Sequence, residues 1–284
     1  MSHTPPSAGK LGLGAVGVAL TVSDAYLDEA AEVEGLGYSA LWLPGGQLDQ
    51  LGRLADLIQA TRAVRVAPAI ISPDVYPAEK VIDFYARQDA AAPGRLLVGL
   101  GGPQRPRSVQ PLNEYLDRLD QAGQPVPTQR RLVAALGPRK LELARDRSAG
   151  AIVVLVTPDY VGTARRVLGP QATLVVDQML VADADSTTAR ETARQPLRFL
   201  SGLPGYRASF ARMGFTQDEV TSIADRLVDD LVIWGNDETI TARVRQQLKA
   251  GADHVMLHAL SDGSQPGPLE VARSLASSLT GRPL

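Results

Sequence analysis

The residues of this chain able to do chemistry are few: three histidines, a basic turn between an apolar run and a helical period, and several apolar runs that end in glycine. His254 and His258 share one face of an apolar run but sit at its opposite ends. At strand rise that is roughly 13 Å, too far for one metal ion. His258, near the carboxyl end, is placed to reach a pocket, while His254 is expected to be structural and His3 lies near the chain start. There is no cysteine, which removes disulfides, thiolate metal sites and a cysteine nucleophile. In Leu136-Gly137-Pro138-Arg139-Lys140 the glycine allows close backbone approach and proline suits the first helical position. The free amides of that turn point at an incoming anion, and Arg139 and Lys140 add positive charge. This is a candidate phosphate site; an ordinary turn with two solvated basic residues has the same sequence.

The other run ends are Leu43-Pro44-Gly45, Ile71-Ser72-Pro73, Gly101-Gly102, Thr157-Pro158 and Met179 or Val181. They are poor in acids and bases. Such a rim suits a large flat ligand contacted by backbone amides and apolar walls, and it offers no carboxylate pair for glycoside-type hydrolysis. The stretch Pro93 to Gly102 reads as a turn feeding a buried strand whose end is cleared of side chains. Trp42 is expected to be a packed core residue, and Arg130-Arg131 and Asp229-Asp230 are expected on solvated faces.

These residues must be positioned by 284 residues that are 44% hydrophobic with a net charge of −2. No basic field points to nucleic acid or an anionic membrane, and no apolar run is long enough to span a bilayer. A soluble cytoplasmic protein acting on a small molecule is the expectation. Residues 1–10 read as a disordered tail and residues 11–284 as a single domain. Strands are expected at Leu11 to Leu20, Ser39 to Leu43, Arg65 to Ile71, Arg95 to Leu100, Arg131 to Leu136, Ala151 to Val156, Thr173 to Val181 and His254 to Leu260. Helical periods separate them, among them Ala78 to Ala91, Pro138 to about Ser148 and Asp237 to Ala250. Eight alternating units predict an α/β fold closed into a (β/α)8 TIM barrel. The rival is an open doubly wound sheet, but no Gly-x-Gly-x-x-Gly opens a helix after the first strand. Between Ala184 and Gly235 the repeat breaks into helices at about Thr187 to Leu200, Tyr206 to Met213 and Thr216 to Leu231, a helical elaboration after strand seven.

The order of these motifs resembles the luciferase-like superfamily. Pro93-Gly-Arg-Leu-Leu-Val-Gly-Leu-Gly101 resembles its fourth strand, Gly37-Tyr-Ser-Ala-Leu-Trp-Leu43 its second, and Trp234-Gly235 with Ala250-Gly-Ala-Asp-His-Val255 its closing unit. Leu132-Val-Ala-Ala-Leu-Gly-Pro138, Glu142-Leu-Ala144 and Asp225-Arg-Leu-Val-Asp229 extend the likeness toward a branch described as probable deazaflavin-dependent oxidoreductases. The resemblance implies a luciferase-like barrel, usually a homodimer, binding coenzyme F420 or FMN at the carboxyl ends of its strands. It implies hydride transfer between coenzyme F420 and a small organic substrate, with FMN-dependent monooxygenation and a non-catalytic flavin-binding relative as alternatives. By position, Ile71 and Ser72 would lie beneath the ring at a bulge with a cis peptide, and Gly101 and Gly102 would flank it. Leu136, Gly137, Arg139 and Thr157 would meet the phosphate. Pro44, Gly45 and Gly46 stand where relatives often carry a histidine or acid, and Gly102, Pro103 and Gln104 replace other polar positions. That leaves His258, Tyr206 or Arg207 as the expected proton-transfer groups.

Overall fold

The computed structural model describes residues 10–102 and 108–281. Its strands are β1 (Val16–Ala19), β2 (Ala40–Pro44), β3 (Arg65–Ala69), β4 (Val98–Leu100), β5 (Arg131–Ala134), β6 (Gly150–Val154), β7 (Thr173–Val181), β8 (Ile233–Trp234) and β9 (His254–Ala259). All pairings are parallel, in the order β3-β2-β1-β9-β7-β6-β5-β4. Bridges Val66↔Leu96 and Ile71↔Leu100 join the two ends and close the cylinder. The eight strands expected from the sequence are the staves of this TIM barrel. The additional β8 pairs with Leu180 and Val181, where β7 outruns its pairing with β6.

The helices are α1 (Tyr26–Gly35), α2 (Gly52–Ala60), α3 (Ala78–Ala91), α4 (Val109–Gln121), α5 (Pro138–Arg147), α6 (Pro158–Leu168), α7 (Ser186–Leu200), α8 (Pro204–Arg212), α9 (Gln217–Ser222), α10 (Asp225–Leu231), α11 (Asp237–Ala250) and α12 (Pro268–Thr280). The single helix expected over Thr216 to Leu231 is two. Ile223 adopts the left-handed conformation at φ 51°, where the chain breaks so that both halves can bury Val220, Leu227 and Leu231. The sequence reading did not anticipate α12, which lies against β1 and β9 and takes a hydrogen bond from Tyr38 Oη at the Ala272 carbonyl, 2.9 Å away.

Alternation along the staves makes two cores. Leu13, Trp42, Leu97, Leu132, Ile152 and Met256 fill the cylinder. Residues of opposite parity, such as Leu41, Val133, Val176 and Val255, pack outward against the helices. The helical elaboration has a third apolar cluster around Phe210, Phe215 and Leu227.

Three expectations change. Lys10 belongs to the barrel, not to a tail: its ammonium pairs with Asp253 at 3.2 Å and bonds the Ala172 carbonyl. The rest of the expected tail, 1–9, lies outside the described residues. The first strand is shorter than Leu11 to Leu20, because Leu11 and Gly12 have φ of 63° and 69° and form a turn that seats Leu13 in the barrel interior. Arg131 and Asp229 are not on solvated faces. Arg131 is 1% exposed, its Nε donating to the Val126 carbonyl at 2.8 Å and its Nη2 meeting Asp120 at 2.7 Å. Asp229 accepts from Arg190 Nη2 and Trp234 Nε1, both at 2.7 Å. Arg131 is buried and Asp229 half-buried, and each is held by partners inside the fold.

Candidate functional site

A cavity of about 650 Å³ opens at the carboxyl ends of the staves, the face on which barrel enzymes build their sites. Gly45, Gly101 and Ile70 form part of its lining. A Cβ on Gly101 would fall 2.3 Å from Ile70 Cδ1, and one on Gly45 would fall 2.9 Å from the Ile70 carbonyl oxygen. Both positions are therefore restricted by Ile70, and the room cleared by Gly101 is filled by the Ile70 side chain. The Ala69–Ile70 peptide is cis, two residues before the Ile71-Ser72 position expected for it. Ser72 lines the cavity but Ile71 does not. Ile71 packs in the outer core, 2% exposed, its amide donating to Gly99 O and its carbonyl accepting from the Gly101 amide at 2.8 and 3.0 Å. Parallel pairing with β4 fixes that register and brings Ile70 rather than Ile71 to the cavity.

Gly101, Gly102, Leu136 and Lys140 line the wall after β4 and β5. A Cβ on Gly102 would be 3.3 Å from Lys140 Nζ. Burial holds the Lys140 pKa below the usual lysine value, and the ammonium has no carboxylate partner among the described residues. Arg139 is exposed and outside the lining. One residue further along the first turn of α5, Lys140 is turned inward.

The expected phosphate residues are divided by an arginine from the elaboration. Gly137 is the residue before α5, and a Cβ there would be 2.9 Å from Arg212 Nη2. Arg212 Nη1 donates to the Leu136 carbonyl at 2.8 Å, which also accepts from Tyr160 Oη at 3.2 Å. Thr157 caps α6, its Oγ1 accepting from the Tyr160 amide at 3.3 Å. It lines a separate cavity of about 230 Å³ with Pro138, Tyr160 and Arg212. Leu136 thus lines the large cavity and Thr157 the separate one, with the Arg212 guanidinium packed against Gly137.

Across the mouth, His258 Nδ1 lies 3.0 Å from Asp177 Oδ1. Both residues line the cavity with Tyr206. Burial alone would push the His258 pKa down, but the charge and hydrogen bond of Asp177 outweigh it and the net direction is up. Burial, and then the Asp177 charge, push Tyr206 up to about 12. Arg207 is not brought to the site: it is exposed, and its Nε donates to the Ser201 carbonyl at 2.8 Å. Sequence reasoning missed Asp177. The available signal was a lone acid inside the apolar run Thr173–Val181, on the same strand face as Met179. Met179, Leu200 and Leu203 add an apolar wall, and Phe199, 72% exposed, stands in the same lining.

His254 is in a different environment at the other end of β9. Its Nδ1–H donates to the Gly14 carbonyl at 2.6 Å, and its Nε2 accepts from Trp42 Nε1 at 3.0 Å. No group of three or more potential metal ligands occurs among the described residues, and no helix among them is long and apolar enough to cross a membrane.

No protein-family model and no curated protein matches the sequence. Solved structures do match. An F420-dependent secondary alcohol dehydrogenase, solved with an F420-acetone adduct, superposes with a TM-score of 0.73 at 15% identity, covering 95% of this chain and 100% of that one. The coenzyme F420-dependent tetrahydromethanopterin reductase of Methanopyrus kandleri gives 0.67 at 15%, with coverage of 95% and 99%. The oxygenating constituent of 3,6-diketocamphane monooxygenase from Pseudomonas putida, solved with FMN, gives 0.65 at 12%, with coverage of 94% and 98%. These solved structures share the fold of this chain, the parallel α/β barrel. The mouth of this barrel carries Pro44 at the end of β2, Gly45 and Gly46 after it, and Gly102 after β4; Pro103 and Gln104 lie outside the described residues. The ionisable groups on its β7 and β9 wall are Asp177 and His258.

Proposed function

We propose that the chain is an oxidoreductase that uses this cavity for hydride transfer between coenzyme F420 and a small organic substrate. The observation that carries the reading is the cavity itself: large enough for a cofactor ring, apolar along Met179 and Leu203, and edged by the glycines 45, 46, 101 and 102. Nothing would meet a Cβ on Gly46 within 4 Å, so that edge is open. A flat ring fits such a lining. When bound, a deazaflavin or flavin would supply the hydride chemistry.

The residues of this chain would do the rest. Ile70 and the Gly101 backbone would support the ring, and Ser72 and Gly102 would border it. The Leu136–Gly137 turn, the first turn of α5 and Lys140 would receive the phosphate, with Arg212 as a second cation beside that turn, while Thr157, in the separate cavity, would not reach it. Lys140 replaces Arg139 in this role because it is the one turned inward. His258 and Tyr206 would serve the substrate, and Phe199 and Leu203 would exclude water from its apolar part. The titratable wall favours an enzyme over a non-catalytic flavin-binding relative.

The test is titration of the purified chain with coenzyme F420 and with FMN, followed by visible absorption. Saturable F420 binding is expected. Binding of FMN alone moves the reading to the flavin-dependent alternative, and binding of neither overturns it. Lys140→Gln is expected to raise the cofactor Kd about tenfold, or ~1.4 kcal/mol, without loss of thermal stability.

A further inference from the structure

We propose that Asp177 is a positioning residue that makes His258 the proton-exchanging group of this cavity, placing that role on the β7–β9 wall. The inference rests on the cavity being the active site proposed above.

Register brings the pair together. Met179 pairs with His258 across β7 and β9, and Asp177 pairs with Met256. Residues 177 and 179 therefore face the same side as 256 and 258, toward the barrel interior. The Asp177 carboxylate accepts from the Nδ1–H of His258 at 3.0 Å. That bond fixes the tautomer: in the neutral ring Nδ1 carries the proton, and Nε2 is left as the basic nitrogen. Nε2 has no hydrogen-bond partner among the described residues. His254, on the same strand face, has both ring nitrogens engaged by Gly14 and Trp42. Two histidines of one strand thus differ in the one property that matters for proton exchange.

The exchange is a simple one. Nε2 takes the proton released by a substrate O–H or N–H, or returns it in the opposite direction, while Asp177 remains ionised and offsets the imidazolium charge. Tyr206 from α8 stands beside the pair as a protonated donor. Among the described residues, the other titratable groups in the lining are Lys140 in α5 and Asp74 after β3. Among the described residues, the ends of β2 and β4, with Pro44, Gly45 and Gly102, offer no titratable side chain for this step.

The chain has three histidines, which makes the experiment direct. The full chain, labelled with 15N-histidine and free of cofactor, is titrated by NMR, and His258 is assigned with His258→Gln. The expected result is a neutral ring in the Nδ1–H form with a titration above the ordinary value of about 6.5. Asp177→Asn is expected to lower that titration by about one pH unit or more and to deplete the Nδ1–H form, and Asp177→Glu to restore part of both. In the cofactor-loaded enzyme Asp177→Asn is expected to lower kcat roughly 10²-fold and shift its pH profile, with cofactor Kd unchanged within about twofold. A His258 that titrates at or below the ordinary value, or that ignores Asp177→Asn in titration and tautomer, overturns the inference even if cofactor binds. A chain that binds neither cofactor while His258 follows Asp177 overturns the proposed function instead, and the catalytic role with it.

Discussion

Two imidazoles on one face of β9 are driven in opposite directions by their surroundings. His254 is fully buried, and burial pushes it down to about 4, with the Gly14 hydrogen bond pulling weakly the other way. His258 is half-buried, and burial would push it down too, yet the Asp177 carboxylate reverses the direction. The pH consequence has opposite sign for each. Below about 6.5 the unfolded chain protonates residue 254 while the folded one resists until about 4, so stability falls with pH across that window, by about 3 kcal/mol in all. The raised His258 contributes stability that is complete below about 6.5 and is lost as pH rises through its folded pKa. His254→Leu should therefore flatten the stability curve between about pH 6.5 and 5, above the main carboxylate range. At neutral pH it should cost about 1–3 kcal/mol, because Trp42 Nε1 and the Gly14 carbonyl lose their buried partner. Urea denaturation at several pH values checks both; an unchanged slope below about 6.5 would mean that His254 is protonated in the folded protein.

At the scale of elements, helix bounds were legible wherever one local signal dominated. Ala78 to Ala91 and Asp237 to Ala250 are helices over their expected ranges, the second with Asn236 Oδ1 capping the Thr239 amide at 3.0 Å. The stretch from 216 to 231 was less legible, because a continuous helical period runs through a residue that tertiary packing forces left-handed. The first turn of α5 shows the same limit. Its proline, glycine and two cations were readable, but which cation turns inward was not, nor that Arg212 of α8 would lie over Gly137. That arginine sharpens a prediction. Gly137→Asp places a carboxylate against the Arg212 guanidinium, so it cancels a nearby cation and also repels a phosphate at the helix start. Cofactor Kd should rise at least about tenfold, roughly 1.4 kcal/mol, whereas Arg212→Ala alone should raise it less. Calorimetric titration of both variants checks the order, and unchanged affinity in Gly137→Asp removes this turn from the site.

At the scale of the whole molecule, the cylinder closes along one seam, between β3 and β4, by two isolated bridges. Gly99 sits in that seam. A Cβ there would lie 2.1 Å from the Pro68 carbonyl oxygen and 3.2 Å from Ile152 Cδ1. The first neighbour is backbone and has no rotamer to change. Gly99→Ala should therefore push the seam apart and cost at least about 2 kcal/mol, while Gly101→Ala meets only the Ile70 side chain and should cost less. Thermal denaturation ranks the two, and a smaller loss for Gly99→Ala would show that the seam opens freely.

The sequence by itself determined the barrel, because eight apolar runs alternating with helical periods leave few other ways to bury both faces of every strand. It also determined which end of those strands is cleared, through glycine and proline at Pro44-Gly45, Gly101-Gly102 and Gly137-Pro138. Only the tertiary structure decided what those ends enclose. The room beside Gly101 is filled by Ile70, the inward cation is Lys140, and a carboxylate inside β7 meets a histidine of β9. Asp177 and His258 lie 81 positions apart, and no local period relates them. Their contact follows from strand order and register, which are fixed only when the sheet closes on itself.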